Sequence, residues 1–153
     1  MYLLPKPKTI KEQDGQMLLC HSTHIVMTKE VAETEMHAAK RLQEAIRQET
    51  GLILPFSVGE VREGDLSLGI AKTLPEQTYE ITIDEKGGQI SGGDGAGVLY
   101  GVETFCQIVQ QCGGILPCVQ IQDAPDMPNR GYYFDQTRGR VLKLGELKKN
   151  AGR

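Results

Sequence analysis

The sequence predicts an α+β domain of two layers, a mixed and mostly antiparallel sheet with two helices on one face. Three observations predict it. Short β-rich runs recur along the first 122 residues. Two longer stretches, about 28–50 and 96–111, carry helical periodicity instead. The order is strands, helix, several strands, helix, strand, and two amphipathic helices economically cover only one face of such a sheet.

The elements follow in order. Lys8–Glu12 and Met17–Cys20 flank Gln13-Asp14-Gly15-Gln16, and Asp-Gly between extended runs is a hairpin signal. Ile25-Val26-Met27 is a short apolar strand. Thr28 can cap a helix running to about Thr50, with Gly51 as its C-terminal stop. Val31, Ala38, Leu42, Ala45 and Ile46 make its apolar stripe. Leu52–Phe56, Leu66–Ile70 and Tyr79–Ile83 read as strands, the last alternating so that Tyr79, Ile81 and Ile83 share a buried face. Asp84–Gly88 is a turn, and Gln89–Ser91 returns as its hairpin partner. A second helix runs from about Ala96 to Gln111 on Val98, Leu99, Val102, Phe105, Ile108 and Val109. Ile115–Ile121 is the final strand, and Pro117 marks it as an edge or a strand start. Residues 123–129, Asp-Ala-Pro-Asp-Met-Pro-Asn, have linker composition and place a domain boundary there. Beyond them Tyr132-Tyr133-Phe134 is a short β-rich run without enough chain to build partners for it.

Composition narrows the function. At 153 residues the chain holds one domain, or one domain and a fragment of another. Hydrophobic residues at 39% exclude a disordered chain, while the lack of Trp leaves the core to aliphatic side chains. A net charge of −3 with no basic block argues against nucleic acid. The nearest cluster is Arg138, Arg140, Lys143, Lys148 and Lys149, interleaved with Asp135 and Glu146, which reads as a solvated tail. No apolar run approaches the roughly 20 residues of a membrane span. The start has neither a basic region nor a sustained apolar one, so no export signal is expected. Cys20, Cys106, Cys112 and Cys118 form no Cys-x-x-Cys pair and read as reduced thiols, which favours the cytoplasm.

Three patterns bear on chemistry. Gly92-Gly93-Asp94-Gly95-Ala96-Gly97 sits between a strand and a helix, where a phosphate loop would lie. It lacks the third glycine of the dinucleotide fingerprint, and no Gly-Lys-Ser/Thr follows, so a tight packing turn is expected. Gly97 and Gly101 would then let the helix approach the sheet. Cys20-His21-Ser22-Thr23-His24 holds three potential metal ligands without the spacing of a zinc site, and no His-Glu-x-x-His is present. No metal and no cofactor are expected. Neither Gly-x-Ser-x-Gly nor a paired-carboxylate pattern nominates a catalytic residue in this chain.

The second half resembles a known family. Gly97, Tyr100, Gly101, Thr104 and Gln107 stand as Gly-x-x-Tyr-Gly-x-x-Thr-x-x-Gln, followed by Asp123-Ala124-Pro125 and by Arg130-Gly131, Asp135 and Arg138 as Arg-Gly-x-x-x-Asp-x-x-Arg. In this order and spacing they are similar to family 20 glycoside hydrolases, the β-N-acetylhexosaminidases. Residues 1–78 match only in their strand-helix-strand layout. The resemblance implies that 1–122 form a small N-terminal domain resembling a zincin-like fold without the metal. It implies a linker at 123–129, and at 130–153 the start of a (β/α)8 catalytic barrel. The parent would remove terminal β-linked N-acetylhexosamine by a retaining, substrate-assisted mechanism. Its adjacent Asp-Glu pair would lie beyond Arg153, so this fragment alone is expected to be inactive. Its partners would be the missing barrel and, through the parent, N-acetylhexosamine-containing glycans.

One family site residue falls in the chain. Arg138 matches the arginine after the first barrel strand, a ligand for sugar hydroxyls, and it follows that strand at the end where barrels do chemistry. Arg130, at the strand's other end, reads as structural. Gly139 stands where many members have His, and Val141-Leu142-Lys143-Leu144 replaces a more usual Val-Pro-Thr-Leu. The competing readings are a stand-alone carbohydrate- or protein-binding module and a metalloprotease-like domain. The first is disfavoured by the scarcity of stacking aromatics, the second by the missing His-Glu-x-x-His.

Overall fold

The structure, a computed structural model, describes residues 1–131 and 143–146. Its elements are β1 (Thr9–Leu18), β2 (Ile25–Met27), α1 (Lys29–Thr34), α2 (Met36–Thr50), β3 (Phe56–Val58), β4 (Leu66–Ile70), β5 (Tyr79–Asp84), β6 (Gly87–Gly92), α3 (Gly95–Cys112) and β7 (Ile115–Asp123). The seven strands form one mixed sheet in the order β1-β7-β5-β6-β4-β2-β3. The β1-β7-β5-β6 half is antiparallel, and β6-β4-β2-β3 is parallel.

Alternation decides which face is covered. Ile81 sits between Ile121 and Ile90, and Ile90 pairs with Leu68, so an aliphatic row crosses the sheet. This row packs with Leu42, Ile46, Val102, Phe105 and Val109 of α2 and α3 in one core. The opposite face carries Thr9, Lys11, Glu80, Thr82, Gln120 and Gln122 around an open, shallow depression. Burying the aliphatic row and helix stripes removes them from water at roughly 25 cal/mol per Å² of apolar surface.

Thr28 and Gly51 stand at the helix ends that the sequence assigns them. Thr28 Oγ1 accepts from Val31 N, and Gly51 closes α2 in the left-handed region at φ 76°. Asp94 caps α3, accepting from Gly97 N at 2.8 Å.

Four local expectations are corrected. The run from Thr28 to Thr50 is two helices, because the backbone leaves helical geometry at Glu35 (φ −122°, ψ 27°). That break carries the Glu35 carboxylate against Gly95 at the start of α3 and within 3.3 Å of His37 Nε2. The Gln13–Gln16 segment is not a hairpin turn. Both arms pair with β7, Glu12 opposite Val119 and Gln16 opposite Pro117, and the extra residues bulge out. Gly15 takes the positive φ, 107°, that the bulge requires. A nine-residue β7 offers both arms a longer ladder than they offer each other, and Met17 gains a buried place opposite Leu116. The strand expected at Leu52–Phe56 begins at Phe56, since Pro55 has no N–H to donate. Finally, β7 is neither an edge nor started by Pro117. Pro117 is tolerated because pairing with β5 stops at Val119, which leaves its position free of a ladder donor on that side.

The segment Tyr132–Asp135, expected to be a first barrel strand, and Arg138, expected to be a site residue, lie outside the described residues.

Candidate functional site: a groove between the N-terminal strap and the linker

One polar stripe runs along α3, with Tyr100, Glu103, Thr104, Gln107 and Gln111 at the three- and four-residue steps of a helix face, Thr104 buried, Gln111 exposed and the others half-buried. Each binds a segment distant in sequence. Gln111 Oε1 accepts from Tyr2 N at 2.9 Å, and its amide nitrogen donates to Tyr2 O. One turn earlier Gln107 does the same for Leu4, with N···O distances of 2.9 and 3.0 Å. Two glutamines four residues apart thus imitate a strand edge and hold residues 2 and 4 of an extended N-terminal strap. The intervening Leu3 points into the core and is buried.

The opposite side is held through Thr104. Its hydroxyl lies 2.7 Å from Tyr79 Oη, which also donates to Asp123 Oδ2 at 3.3 Å. Burial pushes the Tyr79 hydroxyl up to about 12, the Thr104 bond opposes this, and the Asp123 charge adds to it. Tyr79 therefore stays a neutral donor. Asp123 Oδ1 accepts from Lys8 N at 3.2 Å, and Lys8 Nζ reaches Asp126 at 3.0 Å, so strap and linker are joined.

Arg130 fixes the far end of the linker. Its guanidinium lies 5.3 Å from the Tyr100 ring centroid, a cation–π distance. Nη2 donates to Tyr100 Oη at 2.7 Å and to Gln77 Oε1 at 3.1 Å, and Nη1 donates to Met127 O. Gln77 adopts a positive φ of 61°, uncommon for a non-glycine residue. Asp94 Oδ1 stabilises it by accepting from Gln77 N at 3.0 Å, and Gln77 Nε2 donates to Pro128 O. Glu103 forms a bidentate pair with Arg41 that ties α3 to α2. Between strap, α3 and linker lies a groove of about 500 Å³.

The motif thus acquires physical roles. A Cβ at Gly101 would lie 2.7 Å from Ile90 Cγ2, and one at Gly97 would strike Thr78 O. Both glycines let α3 lie against the sheet, as the sequence reading expected. Tyr100, Thr104 and Gln107 hold the 123–130 segment, the start of β5 and the strap. Sequence pattern alone assigns these three residues no task. The signal that could have exposed it is the glutamine pair at 107 and 111 on a helix otherwise rich in apolar residues.

The other sequence candidates are placed as follows. The glycine cluster is a packing turn: a Cβ at Gly93 would strike Pro75 O, and one at Gly95 the Glu35 carboxylate. In the Cys20–His24 turn, Cys20 Sγ lies 3.0 Å from Ser22 Oγ. His24 Nδ1 lies 2.9 Å from Ser22 O and 3.6 Å from Asp65 Oδ1. Asp65 is buried and accepts from the His24 and Arg62 amides. Among the described residues no three His, Cys, Asp or Glu side chains gather to hold a metal, and no helix is long and apolar enough to cross a membrane. All four cysteines are free. Arg138 lies outside the described residues.

This is an α+β domain whose polar groups on α3 hold residues 2–4 and the segment after β7. Residues 1–124 match the family described as glycosyl hydrolase family 20, domain 2. The chain is 28% identical to a β-hexosaminidase of Porphyromonas gingivalis over 97% of its own length and 20% of that protein's. It is 29% identical to a β-hexosaminidase of Vibrio furnissii over 89% of its own length and 21% of that protein's. The structure of the Flavobacterium johnsoniae chitobiase superposes with a TM-score of 0.80 at 20% identity, over 98% of this chain and 24% of that one. The chain belongs to glycosyl hydrolase family 20 as its domain 2. It spans about a fifth of the length of these curated relatives.

Proposed function

We propose that this chain is the non-catalytic N-terminal domain of a β-N-acetylhexosaminidase. In this reading residues 1–122 are the domain, 123–129 the linker, and 130–153 the start of a catalytic (β/α)8 barrel. The observation that carries it is the family match over residues 1–124 in a chain that covers only a fifth of its β-hexosaminidase relatives. The Arg130 anchor supports it, since it holds the chain where the proposed barrel begins.

The parent enzyme would release terminal β-linked N-acetylhexosamine, using the substrate's acetamido oxygen as nucleophile with an Asp-Glu pair beyond this chain. Arg138 would bind sugar hydroxyls at the C-terminal rim of the first barrel strand. A stand-alone sugar-binding module is less well supported: the depression on the outer sheet face is lined by Thr, Gln, Lys, Glu and Ile, with no aromatic ring to stack on a sugar.

The test is hydrolysis of a chromogenic N-acetylglucosaminide by the full-length parent and by this chain. The parent should turn over and the 153-residue chain should not. Turnover that co-purifies with the chain alone, or a purified and folded parent inactive on N-acetylhexosaminides, contradicts the reading.

A further inference from the structure

We infer that Gln77 is a strained clasp: its backbone is held in an unfavourable conformation so that its side chain can grip the segment after β7, and strain and grip are released together. Residues 75–78 close a turn in which Thr78 N donates to Pro75 O at 3.2 Å. Gln77, the third residue of that turn, has φ 61°, and among the described residues no other non-glycine residue has a positive φ. A negative φ at Glu76 followed by a positive one at Gln77 is the sign pattern of a type II turn, whose third position favours glycine or asparagine. Glycine would adopt this backbone without strain. The residue present is instead one with a long side chain carrying both a donor and an acceptor.

Both ends of that side chain are used on the same segment. Gln77 Oε1 accepts from Arg130 Nη2 at 3.1 Å, and Gln77 Nε2 donates to Pro128 O at 3.1 Å. The backbone is held from the other side by the cap of α3. Asp94 Oδ1 accepts from Gln77 N at 3.0 Å and from Gly97 N at 2.8 Å. The turn itself is seated on the glycine loop, where Gly93 N donates to Thr78 O and a Cβ at Gly93 would strike Pro75 O.

One backbone torsion therefore serves two sets of bonds. A return of Gln77 to negative φ swings its amide and its side chain together, so the bond to Asp94 and the bonds to Arg130 and Pro128 break as a unit. Asp94 keeps Gly97, and α3 stays capped when the clasp opens. Coupling of this kind is reciprocal: releasing Arg130 loosens the turn, and removing the Gln77 side chain releases Arg130. Backbone strain persists only where its surroundings hold it, and here the holding groups are the ones that fix the direction in which the chain leaves β7.

Two measurements on the 153-residue chain test this. Trypsin must take the Arg130 guanidinium into its own pocket to cut before Gly131, so Arg130 has to leave Gln77 first. Gln77→Gly suits the backbone and removes both side-chain bonds. Cleavage after Arg130 should speed up by about tenfold, as the loss of two hydrogen bonds implies where cutting follows the open population. The thermal midpoint should stay at or above that of wild type, because glycine relieves the strain. Gln77→Asn tolerates a positive φ but is one methylene too short to reach both partners, and should behave alike. In the other direction, Arg130→Ala should speed hydrogen exchange at the Gln77 amide and leave the Gly97 amide unchanged, although Arg130 bonds the side chain of Gln77 and not its amide. Unchanged cleavage after Arg130 in both Gln77 variants overturns the clasp. So does a thermal midpoint several degrees lower in both, which would make Gln77 a plain turn residue. An Arg130→Ala variant whose Gln77 amide is unchanged, or loosens no more than Gly97, overturns it as well.

Discussion

Gln107 holds Leu4 by both backbone polar groups at once, its carbonyl oxygen accepting from the Leu4 amide at 2.9 Å and its amide nitrogen donating to the Leu4 carbonyl at 3.0 Å. A side chain that satisfies a donor and an acceptor of one residue fixes that residue's orientation as well as its position. Replacing Gln107 with Leu removes both bonds, each worth roughly 0.5–1.5 kcal/mol net. The expected result is a strap that detaches before the domain unfolds. Hydrogen exchange should show faster exchange at Leu4, while Tyr2, held by Gln111, changes less. A Gln107→Leu variant whose Leu4 amide keeps its protection would show that packing of Leu3 alone holds the strap.

Gly101 and Gly51 separate two reasons for a glycine. At Gly101 a Cβ would meet Ile90 Cγ2 at 2.7 Å and Tyr79 at 3.4 Å, so the cost of alanine is steric. At Gly51 no atom lies within 4 Å, and the cost arises only from φ 76°. Gly101→Ala should therefore destabilise by roughly 1–3 kcal/mol as the helix is pushed off the sheet. Gly51→Ala should cost about 1 kcal/mol from the left-handed backbone alone. Thermal denaturation checks both, at about 2–4 °C per kcal/mol for a domain of this size. Only the Gly101 variant should also disturb near-ultraviolet circular dichroism, because Tyr79 packs against that position.

The sequence announced what is periodic or terminal, and concealed what depends on a distant partner. The alternation of Tyr79, Ile81 and Ile83 and the caps Thr28 and Gly51 are local signals, and each stands where the sequence puts it. The break at Glu35 is not local, because it brings a carboxylate to Gly95, sixty residues away in the chain. Asp14-Gly15 is a turn signal in isolation, yet β7 recruits both flanking arms into one strand. The glutamine pair at 107 and 111 marks a polar stripe on α3, but the partners of that stripe are distant in the chain and concealed for the same reason. A glutamine on an exposed helix face has many possible partners, and nothing in the local pattern selects the backbone of Leu4. The family motif marked the right residues without saying what they do.

The cysteines divide by environment. Hydrogen bonds from Ser22, then Thr23, favour the thiolate of exposed Cys20 and lower its pKa from 9.0 to about 7. Burial instead pushes Cys106 up to about 12, and Cys118 upward as well. Iodoacetamide should thus modify Cys20 first, with a rate that rises through about pH 7 and levels off above it. Cys106 and Cys118 should react only once the domain unfolds. For Cys20 the folded value lies below the unfolded one. Its stabilising contribution is fully present above about pH 9 and is lost as pH falls through about 7. The residue is exposed, so water and salt screen the effect and the thermal midpoint should move little. A labelling midpoint near 9 would contradict the hydrogen bonds to Ser22 and Thr23.

The remaining prediction concerns Arg138 in the full-length parent, where the proposed function makes it a ligand for sugar hydroxyls. Removing a charged donor from such hydroxyls costs roughly 1.5–3 kcal/mol. At about 1.4 kcal/mol per decade, Arg138→Ala should lower kcat/KM by about ten- to two-hundred-fold. The competing role is an ion pair with Asp135, three residues back, that stabilises the barrel rim. At an exposed position such a pair contributes roughly 0–1 kcal/mol, too little to account for the larger part of that range. The two roles also differ in what they leave intact. A sugar ligand loses catalytic efficiency while the melting temperature stays near wild type. A structural arginine loses stability, and each molecule that remains folded keeps its activity. Measuring kcat/KM beside the melting temperature for Arg138→Ala and Arg138→Lys decides between them. Lysine keeps the charge but not the planar fork of donors, so a sugar ligand should be rescued only in part. A folded Ala variant with near-wild-type kcat/KM would end the substrate role for Arg138.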